Sequence, residues 1–302
     1  MTPRHETTDE RRLAFRSPLA ADRLLGFLAS RAIPGVEHVE RRRYTRAVRD
    51  ATGPPVVLEL AVPPRGSAIS LRVSGDGPAS AAVDALARRA RHLFDLDADP
   101  VAIDSLLGAD PLLAPLVAAA PGTRLPGAID GFEMAIRAIV GQQVSVSGAR
   151  TTLGRISARF GEALAEPVGP VTHLFPSPER LAQVPRSELG MPGARADAIR
   201  TVAAAAASGE LDLSGDGGAD AGSTLDLLRA IRGVGEWTAA YVAMRALHDG
   251  DSFPVGDLGV RRGFAALGLP DDPGSMRRHA ERWRPWRAYA VIHLWLGGSR
   301  AS

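Results

Sequence analysis

One aspartate in a glycine-rich turn, Asp257, is the side chain of this sequence best placed to do chemistry. It directly precedes a helical pattern, so we expect it to cap a helix N-terminus, where backbone N–H groups and the helix dipole favour the ionised carboxylate. A rigidly held anion of this kind stabilises a sugar cation. By itself the position is more often a purely structural cap, but the two roles are compatible. Asp249 and Asp251 are alternative carboxylates that no helix fixes.

A short hairpin, Gly233-Val234-Gly235, stands upstream of this aspartate between two helical patterns. Glycine permits the positive φ angles of a tight reversal and leaves amide N–H groups uncovered at the start of the next helix. Such a turn binds an anion, and a DNA phosphate suits it. Arg232, directly before the turn, adds a positive charge. The alternative is an ordinary helix end followed by a capped helix, because Gly-x-Gly alone is a common pattern.

The composition restricts the chemistry further. All 36 basic residues are arginine, so this sequence contains no lysine, and it contains no cysteine. A lysine Schiff base, a thiolate nucleophile and an iron–sulfur cluster are therefore excluded. The seven histidines form no group of ligands, so no catalytic metal is expected. The net charge of +2 permits binding to nucleic acid without requiring it.

The N-terminal residues MTPRHETTDERR are charged and lack an apolar core, so they do not resemble a signal peptide. We expect residues 1–12 to be disordered. No apolar run reaches the length that spans a membrane. The expectation is a soluble, cytoplasmic protein with no membrane partner.

The first hundred residues predict a small antiparallel sheet with helices packed on it. Strands are predicted over residues 39–48, 56–62 and 69–73, and helices over residues 24–32 and 78–94. From Asp99 onward strand signals largely vanish, and residues 214–223 predict a polar, glycine-rich loop. Besides those around the hairpin, helices are predicted over residues 103–107, 111–119, 131–140, 145–160, 178–183, 192–207, 258–267 and 275–283. Pro285 is expected to open a last helix that ends near Trp295.

These patterns predict an α+β fold, with an N-terminal antiparallel sheet followed by an all-α part. We expect an α+β domain over residues 13–110 and a helical domain over residues 111–255, which contains a helix-hairpin-helix over residues 228–242. The remaining helices, over residues 256–302, are expected to complete a second helical subdomain with part of residues 95–125.

Several motifs in one order resemble the helix-hairpin-helix DNA glycosylases, and specifically the bacterial DNA-3-methyladenine glycosylase II subfamily. The motifs are GVGEWTAAYVAMRAL, SFPVGDLGVRRGF, LPGAIDGFEMAIRAIVGQQVSVSGAR, LGMPGARADAI and HAERWRPWRAYAVIHLW. The segment LLGFLASRAIPGVEHV, followed by strands, fits the N-terminal sheet domain of that subfamily. The resemblance covers about residues 13 to 296.

The resemblance implies excision of alkylated bases, of the 3-methyladenine and 7-methylguanine type, from double-stranded DNA. No cofactor and no obligate protein partner are implied. Asp257 matches the catalytic aspartate of the family. The residues that match its base pocket are Phe27, Trp237, Tyr241 and Trp295. The residues expected to bind DNA are Gln143 as the wedge in the base stack, Arg232, Gly233, Val234, Gly235 and Arg261, with a monovalent cation on the backbone of Gly233 and Gly235.

The sequence departs from the subfamily at three positions. Gln143 is polar where the best-known members carry an apolar wedge, Gly259 replaces a bulkier pocket residue, and Arg232 stands where proline is frequent. These departures leave the reaction class intact and bear on the range of bases. Bifunctional members use a lysine near the hairpin, where this chain has Thr238 and Ala239. We therefore predict a monofunctional, monomeric enzyme that leaves the DNA backbone whole.

Two other functions remain open. One is a non-catalytic helix-hairpin-helix module that uses the hairpin only as a phosphate clamp, and the other is a glycosylase for deaminated or etheno bases. Asp257 and its aromatic neighbours favour an enzyme over a clamp, because a clamp does not need them. Trp283 and Trp286 are expected to pack in the core or an interface, and His293 is expected to be a core histidine.

Overall fold

The computed structural model describes residues 7–49, 53–75, 80–213 and 221–298. A five-stranded antiparallel sheet forms the N-terminal part, in the order β1-β5-β4-β3-β2. Its strands are β1 (Thr7–Ala14), β2 (Glu37–Glu40), β3 (Arg43–Arg49), β4 (Pro55–Ala61) and β5 (Ala68–Gly75). The rest of the described chain is mainly helical, so the predicted α+β class is confirmed.

The N-terminal edge of the sheet corrects one prediction. Residues 7–12 are not disordered, because β1 pairs with β5 and places Leu13 opposite Ile69. Pairing with β1 satisfies the backbone N–H and C=O groups along the edge of β5. An edge strand is exposed to solvent, so it tolerates the charged side chains that suggested disorder. The rest of the predicted tail, residues 1–6, lies outside the described residues.

A second correction concerns the predicted strand over residues 39–48. The chain reverses at Arg41, whose φ is 53°, so that two strands, β2 and β3, form a hairpin with Glu40 opposite Arg43. The turn leaves Arg41 exposed and turns Tyr44 into the core, where it is fully buried. Arginine is not a usual turn residue, so the sequence carried no turn signal here.

Helices were predicted at every position where the structure has a long one, with ends that differ by a few residues. The helices are α1 (Ala21–Arg31), α2 (Ser80–Phe94), α3 (Pro100–Gly108), α4 (Ala114–Ala118), α5 (Gly131–Val140), α6 (Val146–Phe160), α7 (Pro178–Gln183), α8 (Gly193–Ala207), α9 (Ala221–Ala230), α10 (Glu236–Arg245), α11 (Leu258–Ala266), α12 (Pro273–Ala280) and α13 (Arg287–Gly298). Of the predicted loop, residues 214–220 lie outside the described residues. None of the described helices is both long and apolar enough to cross a membrane.

Two further details differ from the prediction. The last helix, α13, begins at Arg287 and not at Pro285, because the chain still turns there, with the Trp286 N–H donating to the Trp283 carbonyl at 2.7 Å. A small hairpin of β6 (Ala163–Val168) and β7 (Val171–His173) was missed. Most side chains of β6 are exposed, so the strand has no apolar alternation to detect.

The buried side chains form two main cores. The first joins the sheet and helices α1 to α4 with the C-terminal helices, through residues such as Phe264, Trp283 and Ile292. The second is built mainly from residues 128–246, with Ile33 and Val36 added from the loop after α1. The C-terminal helices thus return to pack beside the N-terminal sheet. The domain boundaries proposed from the sequence stay a prediction.

A buried ion network ties the sheet to α5. Arg46 of β3 contacts Glu37 of β2 at 3.4 Å and also pairs with Glu133 of α5. Arg137, one turn after Glu133, pairs with the same two glutamates, and the Tyr44 hydroxyl donates to Glu37. Within this network each buried charge has an opposite partner, which offsets the cost of removing it from water.

Candidate active site

A cleft of about 1580 Å³ lies between the two cores and brings most of the predicted catalytic and base-pocket residues together. Asp257, Trp237, Tyr241 and Trp295 all line it. Gln143 and Gly235 line it as well, from the side of the hairpin. A concave site that combines aromatic walls with a carboxylate is suited to hold a planar ligand beside a charge.

Asp257 is the N-cap residue of α11, as the sequence predicts. Its Oδ1 accepts a hydrogen bond of 2.9 Å from the backbone N–H of Val260, and its own φ and ψ are −62° and 127°. The side chain is half-buried on the wall of the cleft. The helix start fixes the carboxylate and adds the positive end of the helix dipole to its surroundings.

Two indole N–H groups hold the same carboxylate. Trp237 Nε1 donates to Oδ2 at 2.9 Å, and Trp295 Nε1 donates to Oδ1 at 2.8 Å. Among the residues that the structure describes, Oδ1 therefore accepts two hydrogen bonds and Oδ2 accepts one. Each carboxylate oxygen has room for about two donors, so Oδ2 is the oxygen left to accept a hydrogen bond from a water or a sugar. The tryptophans, predicted only as pocket walls, also orient the acid.

The four predicted pocket aromatics form one row. Trp237 and Tyr241 stack with ring centroids 5.4 Å apart, Tyr241 lies 6.0 Å from Trp295, and Phe27 lies nearly parallel to Trp295 at 6.1 Å. Phe27 differs from the others, because it is only 2 % exposed and does not line the cleft. It supports Trp295 from behind.

The space around position 259 explains why this residue, which departs from the subfamily pattern, is glycine. A Cβ at this position would lie 2.5 Å from Trp295 Cδ1, 2.8 Å from Trp295 Nε1 and 3.0 Å from Asp257 Oδ1. Such approaches are far shorter than van der Waals contact. The absence of a side chain at Gly259 is therefore what lets the Trp295 indole reach the carboxylate.

Two arginines at the site were missed by sequence reasoning. The Arg31 guanidinium lies 3.8 Å from the centroid of the Phe27 ring, and that of Arg245 lies 4.8 Å from the same centroid. Arg245 is 3 % exposed and donates to the Tyr241 hydroxyl at 2.9 Å and to the Gly127 carbonyl at 3.1 Å. Burial lowers the pKa of both guanidinium groups. Both residues stand in segments that carry the family resemblance, but an arginine within a helical pattern is expected to be solvated, so neither was predicted to belong to the site.

The helix-hairpin-helix consists of α9, the turn 231–235 and α10. Gly233 has the predicted positive φ, 95°. Gly235 does not, because it is the extended N-cap residue of α10, with φ −90° and ψ 177°. Val234 is buried, whereas Arg232, Gly233 and Gly235 are exposed and available to a partner.

The turn between α5 and α6 lies against this hairpin. The Gln142 side-chain amide donates to the Gly233 carbonyl at 2.8 Å and to the Thr238 hydroxyl at 2.9 Å. Gln143, the predicted wedge, follows it with a φ of 58° and an exposed side chain at the edge of the cleft. Arg261, by contrast, pairs with Asp271 at 2.9 Å and does not line the cleft.

The alternative carboxylates lie elsewhere. Asp251 pairs with Arg284 and Arg287, and Asp249 accepts a hydrogen bond from the Asp251 backbone N–H. Trp283 is fully buried, as predicted, with its indole N–H 2.8 Å from Asp110 Oδ2. His293 is also fully buried, and burial lowers its pKa to about 4. Among the described residues there is no group of three or more acidic, histidine or cysteine side chains that would hold a metal ion.

Comparisons with known proteins agree with this architecture. The family model described as "AlkA N-terminal domain" matches residues 10–130, and the one described as "HhH-GPD superfamily base excision DNA repair protein" matches residues 136–288. A protein of Mycobacterium tuberculosis (strain CDC 1551 / Oshkosh), named "Probable bifunctional transcriptional activator/DNA repair enzyme AlkA", is 42% identical over 94% of this chain. The chain spans 56% of that relative's length.

Two other known proteins match this chain over nearly their whole length. "DNA-3-methyladenine glycosylase 2" of Escherichia coli (strain K12) is 37% identical over 90% of this chain and 92% of its own. The solved structure of a 3-methyladenine DNA-glycosylase from Archaeoglobus fulgidus superimposes with a TM-score of 0.83, over 97% of this chain and 99% of that chain, at 22% identity. At that identity the likeness establishes the fold.

Proposed function

The chain belongs to the HhH-GPD superfamily of base excision DNA repair proteins and carries an AlkA N-terminal domain, and we propose that it is a monofunctional DNA glycosylase. It hydrolyses the N-glycosidic bond of alkylated bases, of the 3-methyladenine and 7-methylguanine type, in double-stranded DNA. The name of the Escherichia coli relative, which specifies 3-methyladenine, supports the substrate class. The geometry around Asp257 supports the reaction.

The observation that carries the proposal is the way Asp257 is held. Three donors, two indole N–H groups and the Val260 backbone N–H, fix its carboxylate beside a cleft lined by aromatic rings. A module that only clamps phosphates has no use for such an arrangement. An enzyme that must stabilise positive charge on a sugar needs the anion fixed before the reaction begins, since a fixed anion does not have to reorganise.

The reaction begins with a flipped nucleotide, because a base inside the duplex cannot be reached. The bond between C1′ and the base nitrogen breaks, and its electron pair leaves with the base. Positive charge that develops on the deoxyribose is stabilised by Asp257, and water then adds to C1′ and gives up a proton. Oδ2 of Asp257, which has an acceptor position left, orients that water. The products are the free base and an abasic site.

Aromatic walls suit an alkylated purine. N3- or N7-alkylation gives the base a positive charge, and the face of a tryptophan or tyrosine ring attracts a cation by about 0.5–2 kcal/mol. Trp237, Tyr241 and Trp295 present such rings to the cleft. A cationic base is also a good leaving group, so its departure requires little help from an acid.

The hairpin and the α5–α6 turn are proposed to bind the DNA. Exposed Arg232 and the amide N–H groups around Gly233, Val234 and Gly235 would contact phosphates, with a monovalent cation on the carbonyls. Gln143 at the edge of the cleft would fill the space left by the flipped base. To contact a phosphate, Arg261 would have to give up its ion pair with Asp271. Its contribution to DNA binding is therefore expected to be the smallest among these residues.

The absence of lysine from the sequence supports a monofunctional reaction. Strand cleavage by a bifunctional enzyme requires an amine that forms an imine with the sugar. Near the hairpin, Thr238 is buried and bound to Gln142, and Ala239 is fully buried. Neither residue offers a nucleophilic nitrogen.

The test is an assay with end-labelled duplexes that carry 7-methylguanine, 3-methyladenine, 1,N6-ethenoadenine or no lesion. We expect release of the free alkylated base, strands that remain intact until alkali is added, and no covalent adduct after treatment with borohydride. Strand scission without alkali would contradict the monofunctional proposal. Binding without release of any base would favour the phosphate clamp, and release of ethenoadenine alone would favour the other lesion class.

A further inference from the structure

Arg31 places a positive charge where the base is proposed to bind. It ends α1 and lines the same cleft as Asp257. Its guanidinium carbon lies 3.8 Å from the Phe27 ring centroid and 5.9 Å from that of Trp295. The guanidinium therefore lies at the distance of a cation–π contact from Phe27, the ring that supports Trp295 from behind.

The charge of Arg31 is not balanced locally. Arg46 and Arg137, which also line the cleft, are paired with Glu37 and Glu133. Arg31 instead donates to the Ser30 hydroxyl at 2.9 Å, and within the described ranges no carboxylate lies at ion-pair distance from it. Burial lowers the pKa of its guanidinium, while Tyr241 and Asp257 act in the opposite direction. Arg31 thus adds a positive charge to the lining of the cleft that also contains Asp257.

The charge of the leaving base decides what such a cation does. When a cationic alkylated purine departs, it becomes neutral and leaves without need of a hydrogen-bond donor. When a neutral damaged base departs, the electron pair of the glycosidic bond makes it an anion, which water then protonates. A guanidinium stabilises developing negative charge and repels a base that is already positive.

We propose that Arg31 is a specificity-determining residue that favours the release of neutral damaged bases over cationic ones. Its N–H donors contact an acceptor atom on the edge of the flipped base and stabilise the anion that forms when the bond to C1′ breaks. This inference rests on the proposed glycosylase function. It assigns to a side chain of the N-terminal part a direct influence on which lesion the cleft accepts.

The experiment compares single-turnover release of 7-methylguanine, a cationic base, with that of hypoxanthine, a neutral base, from otherwise identical duplexes. The variants are Arg31→Gln, which removes the charge, and Arg31→Lys, which keeps it. Arg262→Gln removes another arginine from the lining of the cleft and is the matched control. Arg31→Met is a second neutral variant in case Gln prevents folding.

For Arg31→Gln we expect the ratio of the two rates, cationic over neutral, to rise about tenfold, as for the loss of one hydrogen bond to a charged group. Arg31→Lys and Arg262→Gln should keep the ratio near that of the wild type. The inference is overturned if Arg31→Gln and Arg31→Met change both rates alike, or if Arg31→Lys shifts the ratio as much as Gln does. Release of neither base by the wild type would refute the proposed function itself, whereas release with an unmoved ratio refutes only the role of Arg31.

Discussion

At the scale of residues, the site depends on glycine, which has no side chain, at position 259. Gly259 leaves the space in which the Trp295 indole reaches Asp257, and the indole N–H then fills the second acceptor position of Oδ1. Trp237 holds the other oxygen. The acid is thus oriented by three groups that stand 20 residues before it, 3 after it and 38 after it in the chain.

Gly259→Ala should therefore slow the reaction without unfolding the protein. The new Cβ would lie 2.5 Å from Trp295, so the indole must shift and its hydrogen bond to Asp257 is lost. We expect base release at saturating enzyme to slow by about tenfold, as for one charge-assisted hydrogen bond, with affinity for DNA little changed. Gly26→Ala, in α1 with nothing within 4 Å of the new Cβ, is the control. Wild-type rates for Gly259→Ala would disprove the role of this space.

The sequence predicted Asp257 and four aromatic residues as one site, because each stands in a motif, and the structure brings Asp257 and three of those rings to one cleft. It did not reveal that the two tryptophans donate to the acid, since a hydrogen bond between residues 20 or 38 positions apart has no local pattern. Arg31 and Arg245 were missed for a related reason. An arginine in an ordinary helical pattern is expected to be solvated, and only the packing of several elements turns these two inward.

At the scale of elements, the hairpin requires its two glycines for different reasons. Gly233 has a φ of 95°, and a Cβ there would lie 3.1 Å from the Cβ of Ala198. Gly235 has a negative φ, and a Cβ there would meet nothing within 4 Å. The first glycine is needed for the fold of the turn, whereas the fold leaves room for a side chain at the second, whose proposed role is contact with DNA.

The two glycines should respond differently to alanine. Gly233→Ala forces a left-handed conformation on a residue with a side chain, which costs about 1–3 kcal/mol, so the free energy of unfolding should fall by about that amount. Gly235→Ala should leave the free energy of unfolding nearly unchanged and weaken only binding to duplex DNA. Urea denaturation and fluorescence anisotropy measure the two quantities. Equal losses of stability in both variants would argue against different roles for the two glycines.

Element prediction succeeded where local signals were strong. Helices carry apolar periodicity, and several begin at side-chain caps, including Asp99, Asp130 and Ser145. Two of the failures have a common physical cause. Strands β1 and β6 carry mainly exposed or half-buried side chains, so backbone pairing with a neighbouring strand defines them more clearly than burial does. A pattern of hydrophobicity does not detect such strands.

At the scale of the whole molecule, a buried ion network joins the sheet to the helical part beside the cleft. Burial by itself raises the pKa of Glu37, but Arg137 and Arg46 outweigh it and lower the pKa from its ordinary 4.5 to about 2. The stabilisation by Glu37 is therefore complete above pH 4.5 and is lost as the pH falls from 4.5 toward 2.

Glu37→Gln should remove this contribution. At pH 7 we expect the free energy of unfolding to fall by about 3–5 kcal/mol, because two buried arginines lose a partner. The difference from the wild type should shrink as the pH falls below 4.5. Glu59→Gln, which breaks an ion pair with exposed Arg43, is the control and should cost less than about 1 kcal/mol. A variant as stable as the wild type at pH 7 would contradict the importance of the network.

The central claim is that the negative charge of Asp257 drives cleavage of the glycosidic bond. Asp257→Asn removes the charge but keeps a good N-cap, and Asp272→Asn is a matched control, because Asp272 caps α12 away from the cleft. The measurement is single-turnover release of 7-methylguanine from a duplex. We predict that Asp257→Asn is slower than the wild type by about 100-fold or more, while Asp272→Asn is unchanged. Release by Asp257→Asn at the wild-type rate, from a folded protein, would contradict the account.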